Sequence, residues 1–200
     1  MSVAVSTAVP LSDDQLIART LGGEQELFEH LVHRYHRPVV AFIHRMVGDY
    51  ETALDLTQEV FLKVYTALDR YDERYRFSTW LFKIASNHAI DYLRTRNGKM
   101  VSLDAGGDEM EGHPLDVASP VPSPEHQSIV NQRRAIIESV IAQLPVSFRQ
   151  VIVLRHIADL SYEEIADITK LPLGTVKNRI FRAREALREQ LLKMGIEGTE

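Results

Sequence analysis

Residues 161–187 read SYEEIADITKLPLGTVKNRIFRAREAL, and how that stretch folds decides the class of the whole chain. Ser161 followed three residues later by Glu164 is a capping box, in which a hydroxyl and a carboxylate satisfy the first free amides of a helix. Lys170 to Gly174 makes a short turn, and from Thr175 a longer, basic segment continues at helical periodicity. A short capped helix, a tight turn and a second helix form helix-turn-helix spacing. Val176, Ile180, Ala183 and Leu187 fall on one face of the second helix, and Ala166 is small where the two helices must cross closely. The opposite face presents Lys177, Asn178, Phe181 and Arg182 near the helix start, the end that such a motif inserts into a major groove. Between Lys177 and Lys193 six basic side chains stand against two acidic ones, enough local charge to attract phosphates. Phe181 fits either a thymine methyl or the packing of the helix itself.

Upstream the pattern stays helical, and alternating β-branched runs are nearly absent. Ser12 with Gln15 opens a helix that Gly22-Gly23 ends. A second helix is expected from about Glu24 to Met46, interrupted or bent near Pro38, with Gly48-Asp49 as the next turn. A third runs from about Tyr50 to Leu68, with Ala53, Val60, Val64 and Leu68 inward and Leu54 and Phe61 beside them. A fourth, capped by Ser78 and stapled by Phe77 and Phe82, continues to about Arg96. Ile129 to Leu144 and Phe148 to Ala158 add two more before the helix-turn-helix. The predicted class is all-α.

Between the two helical parts, residues 97–126 hold four of the eight prolines, a Gly-Gly pair and little apolar periodicity. They read as a flexible acidic linker between two small helical domains, 1–96 and 127–200. Fully stretched, the linker reaches about 100 Å. It carries one Lys against six Asp and Glu, a net −5 that equals the formal charge of the whole chain. The first part is close to neutral at −2 and the last at +2, so any contact with nucleic acid is made by local patches. A composition of 44% apolar and 26% charged residues belongs to a folded chain, and zero cysteines exclude disulfide scaffolds, thiol catalysis and cysteine zinc sites. Neither a membrane span nor a secretory signal is readable, which makes a cytoplasmic protein without membrane insertion the expectation.

A second cluster of chemistry lies in residues 70–96, where Arg70, Arg74, Arg76, Lys83, Arg94 and Arg96 alternate with Tyr71, Tyr75, Phe77 and Trp80. Cations that follow a backbone and rings that stack on splayed bases suit unpaired nucleic acid. Trp80, Lys83, Asn87, Asp91 and Arg94 share one helix side, so Asn87 can offer a base both a donor and an acceptor.

DLTQEVFLKVY, FSTWLFKIASNHAIDYLR, LSYEEIA and GTVKNRIFRAREAL, taken in order, resemble a bacterial RNA polymerase sigma factor of the extracytoplasmic-function group, group 4 and sigma-E-like. The resemblance covers nearly the whole chain. It implies a sigma region 2 helical bundle over 1–96 and a sigma region 4 helix-turn-helix over 127–200. It further implies transcription initiation without covalent catalysis: no catalytic residue, no metal and no cofactor. Asp55, Gln58 and Glu59 match positions that dock on the β′ clamp helices of core RNA polymerase, and the β flap is a further implied contact. Tyr75, Trp80, Lys83 and Asn87 match the segment that holds a flipped base of the −10 promoter element. Thr175, Lys177, Asn178, Arg179, Phe181 and Arg182 match the helix that meets the −35 element, although Lys177 and Asn178 stand where many relatives carry Arg and Ser. An anti-sigma factor is the implied regulatory partner, and the linker would thread toward the polymerase cleft.

Other readings fit less well. His30, His33, His36 and His44 suggest a metal site, but a three-residue step fans them over more than one helix face and no carboxylate or cysteine completes the set. A recombinase or nuclease needs clustered catalytic groups on a mixed α/β framework, and only helices are readable here. A dimeric repressor shares the helix-turn-helix but needs symmetric half-sites and no polymerase.

Overall fold

The structure is a computed structural model, and it describes residues 11–96 and 135–195. Those residues form helices and no strand. The predicted linker, 97–126, lies outside them, as does the start of the helix expected from Ile129.

Four helices build the first unit: α1 (Asp13–Leu21), α2 (Phe28–Val47), α3 (Tyr50–Thr66) and α4 (Phe77–Arg96). The second unit holds α5 (residues 135–143), α6 (Val146–His156), α7 (Tyr162–Thr169) and α8 (Leu173–Lys193). Both predicted capping boxes are present. Ser12 and Gln15 close one at α1, and at α7 the Glu164 amide donates to Ser161 Oγ at 3.1 Å while the Ser161 amide donates to the Glu164 carboxylate at 2.8 Å. Gly48 ends α2 in the left-handed region at φ 83°, and the Asp49 carboxylate caps α3 by accepting from the Thr52 amide at 2.8 Å.

Several boundaries differ from expectation: α6 runs Val146–His156 instead of Phe148–Ala158, and α8 starts at Leu173 instead of Thr175, because Pro172 already serves as its N-cap. The second helix starts at Phe28 after a 3₁₀ turn over Gln25–Leu27, and it runs through Pro38 without interruption, because burial of Val39, Phe42, Ile43 and Met46 outweighs one lost backbone bond. The third ends at Thr66, with Leu68 buried from a 3₁₀ turn over Leu68–Arg70 instead of from the helix. The fourth starts at Phe77, so Ser78 is not its cap. Phe77, Ser78 and Thr79 are all buried in its first turn.

One apolar core runs through both units. In the first, α2 packs on α3 and α4 through Phe42, Val60, Val64, Phe82 and Ala85, with the Phe42 and Phe82 rings edge-to-face at 5.5 Å. The second unit rests on the first through α6 against α2 and α7 against α4. Polar groups cross this seam. The Arg149 guanidinium donates to Met46 O at 2.7 Å, to Leu144 O at 2.9 Å and to Ala142 O, so a buried charge sits on the carbonyl ends of two helices. Burial lowers its pKa to about 10, which leaves it charged at neutral pH. Gln150 donates to Ser86 Oγ at 2.8 Å, Thr79 donates to the Glu164 carboxylate, and Arg45 pairs with Glu138.

Candidate nucleic-acid interface

Helix α8 is held by the second unit and offers one face outward. Pro172 precedes it and its carbonyl accepts from the Thr175 and Val176 amides at 2.9 and 3.1 Å, while Lys170 ends α7 in the left-handed region at φ 59°, so the turn between the helices is tight. Val176, Ile180 and Ala183 are buried and Leu187 packs at the core edge, as the spacing predicts. Lys177 and Asn178 are exposed, and Thr175, Arg179 and Arg182 are half-buried. Phe181 is 64% exposed, which removes the packing alternative for this ring. All six residues, from Thr175 to Arg182, stand within the first three turns of the helix.

In the first unit, the segment from Tyr71 to Arg76 leads into α4 and is stitched by its own side chains. Asp72 accepts from the Arg74 amide at 3.1 Å and from its guanidinium at 2.6 Å, and the Tyr75 amide donates to Asp72 O at 3.0 Å. Hydrogen bonds from Arg74 hold the Asp72 carboxyl below its usual range. Of the four aromatics read as interleaved with cations, only Tyr75 is well exposed, at 56%. Phe77 is a core residue, and Tyr71 and Trp80 are half-buried with their ring centroids 5.5 Å apart. Trp80, Lys83 and Asn87 follow one another up one side of α4, with Asn87 exposed and Lys83 half-buried. Further up that side Arg94 is spent on Asp91, 3.5 Å away.

Asp55, Gln58 and Glu59 all lie on the exposed face of α3, away from Ala53, Leu56, Val60 and Val64. Beside them stands a residue that the sequence reading missed: Leu62, an aliphatic side chain 64% exposed, next to Tyr65 at 38%. The available signal was its offset by two from Val60 and Val64, which rotates it off the apolar stripe. His88 from α4 reaches between two residues of this face. Its Nδ1 lies 2.7 Å from Lys63 Nζ and its Nε2 2.8 Å from Glu59 Oε2.

The described residues contain no group of three or more His, Cys, Asp or Glu able to hold a metal, and no helix long and apolar enough to cross a membrane.

Comparison with known proteins agrees with this arrangement. Residues 31–98 match the family model for sigma-70 region 2, and residues 134–187 match that for sigma-70 region 4. The RNA polymerase sigma-H factor of Pseudomonas aeruginosa is 37% identical over 180 residues, covering 90% of this chain and 93% of that protein. The ECF RNA polymerase sigma-E factor of Escherichia coli K12 is 39% identical over 178 residues, covering 88% and 93%. Among solved structures, CnrH in complex with the cytosolic domain of CnrY matches with a TM-score of 0.63 at 25% identity, over 90% of this chain and 96% of that one. RpoE from Bartonella quintana, solved with the anti-sigma factor NepR, has the same fold at a TM-score of 0.61 and 24% identity, over 82% and 96%. Two sigma-70 domains in order, on a helical chain that keeps one exposed basic helix start and one exposed aromatic-basic segment, place this protein among the extracytoplasmic-function sigma factors, which are transcription initiation factors and not enzymes.

Proposed function

We propose that the chain binds core RNA polymerase through the exposed face of α3 and directs it to promoters by reading two elements. Asp55, Gln58 and Glu59, with Leu62 at their edge, form the docking face for the β′ clamp helices, and the second unit adds the β flap. Thr175, Lys177, Asn178, Arg179, Phe181 and Arg182 meet the −35 element as duplex. Tyr75, Trp80, Lys83 and Asn87 capture unpaired bases of the −10 element, so that binding energy stabilises the melted strands. No cofactor takes part. An anti-sigma factor covering these surfaces is the proposed control, supported by CnrH and the Bartonella protein having been solved with their partners. The domain limits 1–96, 97–126 and 127–200 and a cytoplasmic location belong to the same reading.

The observation that carries the proposal is the presence, in one chain, of two separate exposed surfaces of different chemistry: a basic helix start with an outward Phe181, and a stitched loop with an outward Tyr75. In vitro transcription with purified core polymerase on a promoter library, with and without the protein, tests it. Protein-dependent starts with two shared upstream elements are the expected result. Binding to palindromic duplex without any affinity for core polymerase would put a repressor in its place.

A further inference from the structure

We infer that α1, which lies outside the matched family domains, is a brace for the −10 loop, acting through two adjacent carboxylates and the hydroxyl of Tyr71. Asp13 and Asp14 open α1 side by side. Asp13 accepts from the Tyr35 hydroxyl and pairs with Arg34, both on α2, and Arg34 also donates to Leu11 O at 2.8 Å, so the start of α1 is fastened to the bundle. Asp14 faces the other way, 3.4 Å from the Tyr71 hydroxyl. That hydroxyl donates to Tyr75 O at 2.6 Å and so closes the loop from Tyr71 to Tyr75. The rings make the same connection in apolar contacts: Tyr35 meets Phe77 edge-to-face at 5.5 Å, Phe77 meets Tyr71 at 5.7 Å, and Tyr71 meets Trp80 at 5.5 Å. Tyr71 is therefore bonded to the backbone of Tyr75 and packed, tilted at 53°, against the ring of Trp80, the two residues that the −10 reading places against unpaired bases, while its own ring is half-buried. Burial, followed by the Asp14 charge, raises its phenol to about 12, so the hydroxyl keeps its proton and goes on donating throughout the physiological range.

Such an arrangement makes Tyr71 a positioning residue. Holding the Tyr75 carbonyl fixes where the Tyr75 ring stands before any base arrives, and preorganisation of that kind lowers the ordering entropy lost on binding. Asp14 is the second, longer acceptor beside the same hydroxyl, so it ties the ring to α1 while the shorter bond goes to Tyr75 O.

The inference rests on the −10 reading, and the experiment separates the two. Holoenzyme assembled from core polymerase and full-length variants is titrated with a fluorescent single strand bearing the −10 element, and separately with −35 duplex. Tyr71→Phe keeps the ring and removes only the hydroxyl. It should weaken single-strand binding about three- to tenfold, as expected for one hydrogen bond, leave duplex binding unchanged, and leave core polymerase affinity intact. Asp14→Ala, which removes the acceptor on α1, should shift the same quantity in the same direction by less. In a Tyr75→Ala background, Tyr71→Phe should lose most of its effect, a coupling that a general loss of stability would not produce. If Tyr75→Ala and Trp80→Ala weaken single-strand binding but Tyr71→Phe does not, the brace is wrong and the −10 reading stands. If none of the three matters, both fall.

Discussion

Phe77 and Phe181 are the same side chain on two helices, and burial alone separates what each can do. Phe77 is 1% exposed and lies in the core, whereas Phe181 is 64% exposed on the outer face of α8. Phe77→Ala removes a ring from a filled site and should cost about 3–5 kcal/mol, read as a lower thermal midpoint. Phe181→Ala should leave the midpoint nearly unchanged, within about 0.5 kcal/mol, and weaken binding to −35 duplex by about 1 kcal/mol or more. A melting curve and a duplex titration check both. An unfolded or strongly destabilised Phe181 variant would mean that the ring packs after all. This difference was only half readable. Helical spacing places Val176, Ile180 and Ala183 inward and Phe181 one step off that face, yet an aromatic beside an apolar stripe also packs at its edge. The alternation of Tyr71, Tyr75, Phe77 and Trp80 with cations was equally ambiguous, since a stacking ring and a core ring have the same composition. What separates them is the chain path before α4, set by Asp72, Arg74 and Tyr71, which no periodicity encodes.

Elements were legible where a local rule names their ends, and less so where packing sets them. Ser12 and Ser161 cap as the sequence implies, because capping involves atoms only a few residues apart, and the Gly48-Asp49 turn supplies in addition the C-cap of α2 and the N-cap of α3. Ser78 does not cap α4, because burial of Phe77 sets the helix start two residues earlier than a Ser78 cap requires. The start of α7 joins the two kinds of evidence. Glu164 completes the capping box and also accepts from Thr79 of α4, so a local signal has a second, tertiary use that its spacing did not reveal. Burial works against the charge of this carboxylate, but hydrogen bonds from Thr79 and from Ser161 outweigh it and hold its pKa below the usual range. A depressed folded-state pKa contributes stability that is fully present above the ordinary glutamate pKa and is lost as pH falls through the lowered value. Ser161→Ala, which removes the hydroxyl half of the box, should cost about 1 kcal/mol at neutral pH. Glu164→Gln should lower the thermal midpoint at pH 7 and flatten its decline below pH 4.5. Parallel declines for variant and parent would refute the assignment of that acid sensitivity to Glu164.

At the scale of the whole molecule, the sequence divides the chain into two units but does not say that they touch. Contacts such as Arg149 to Met46, 103 residues apart, and Gln150 to Ser86, 64 apart, have no local signature. They matter for the proposed function because of size. The −35 and −10 elements lie about 25 base pairs apart, or about 85 Å at 3.4 Å each. The described residues, folded as one body, span about 40 Å by the scaling of compact chains. One packed body of that span does not reach both elements, whereas a stretched linker of about 100 Å allows it. Docking on polymerase must then part the units and forfeit the bonds across the seam, and that loss opposes binding. Gln150→Ala deletes one such bond, that to Ser86, at a site distant in sequence from every proposed reading residue. At about 1 kcal/mol for a hydrogen bond, the variant should bind core polymerase about fivefold tighter than the parent, although the free chain melts at a lower temperature. Opposite signs for stability and affinity are the diagnostic result, since general damage would lower both. Equal or weaker binding by a variant whose helix content is unchanged would mean that the units stay packed on the polymerase, and that the two elements are not read by a single opened chain.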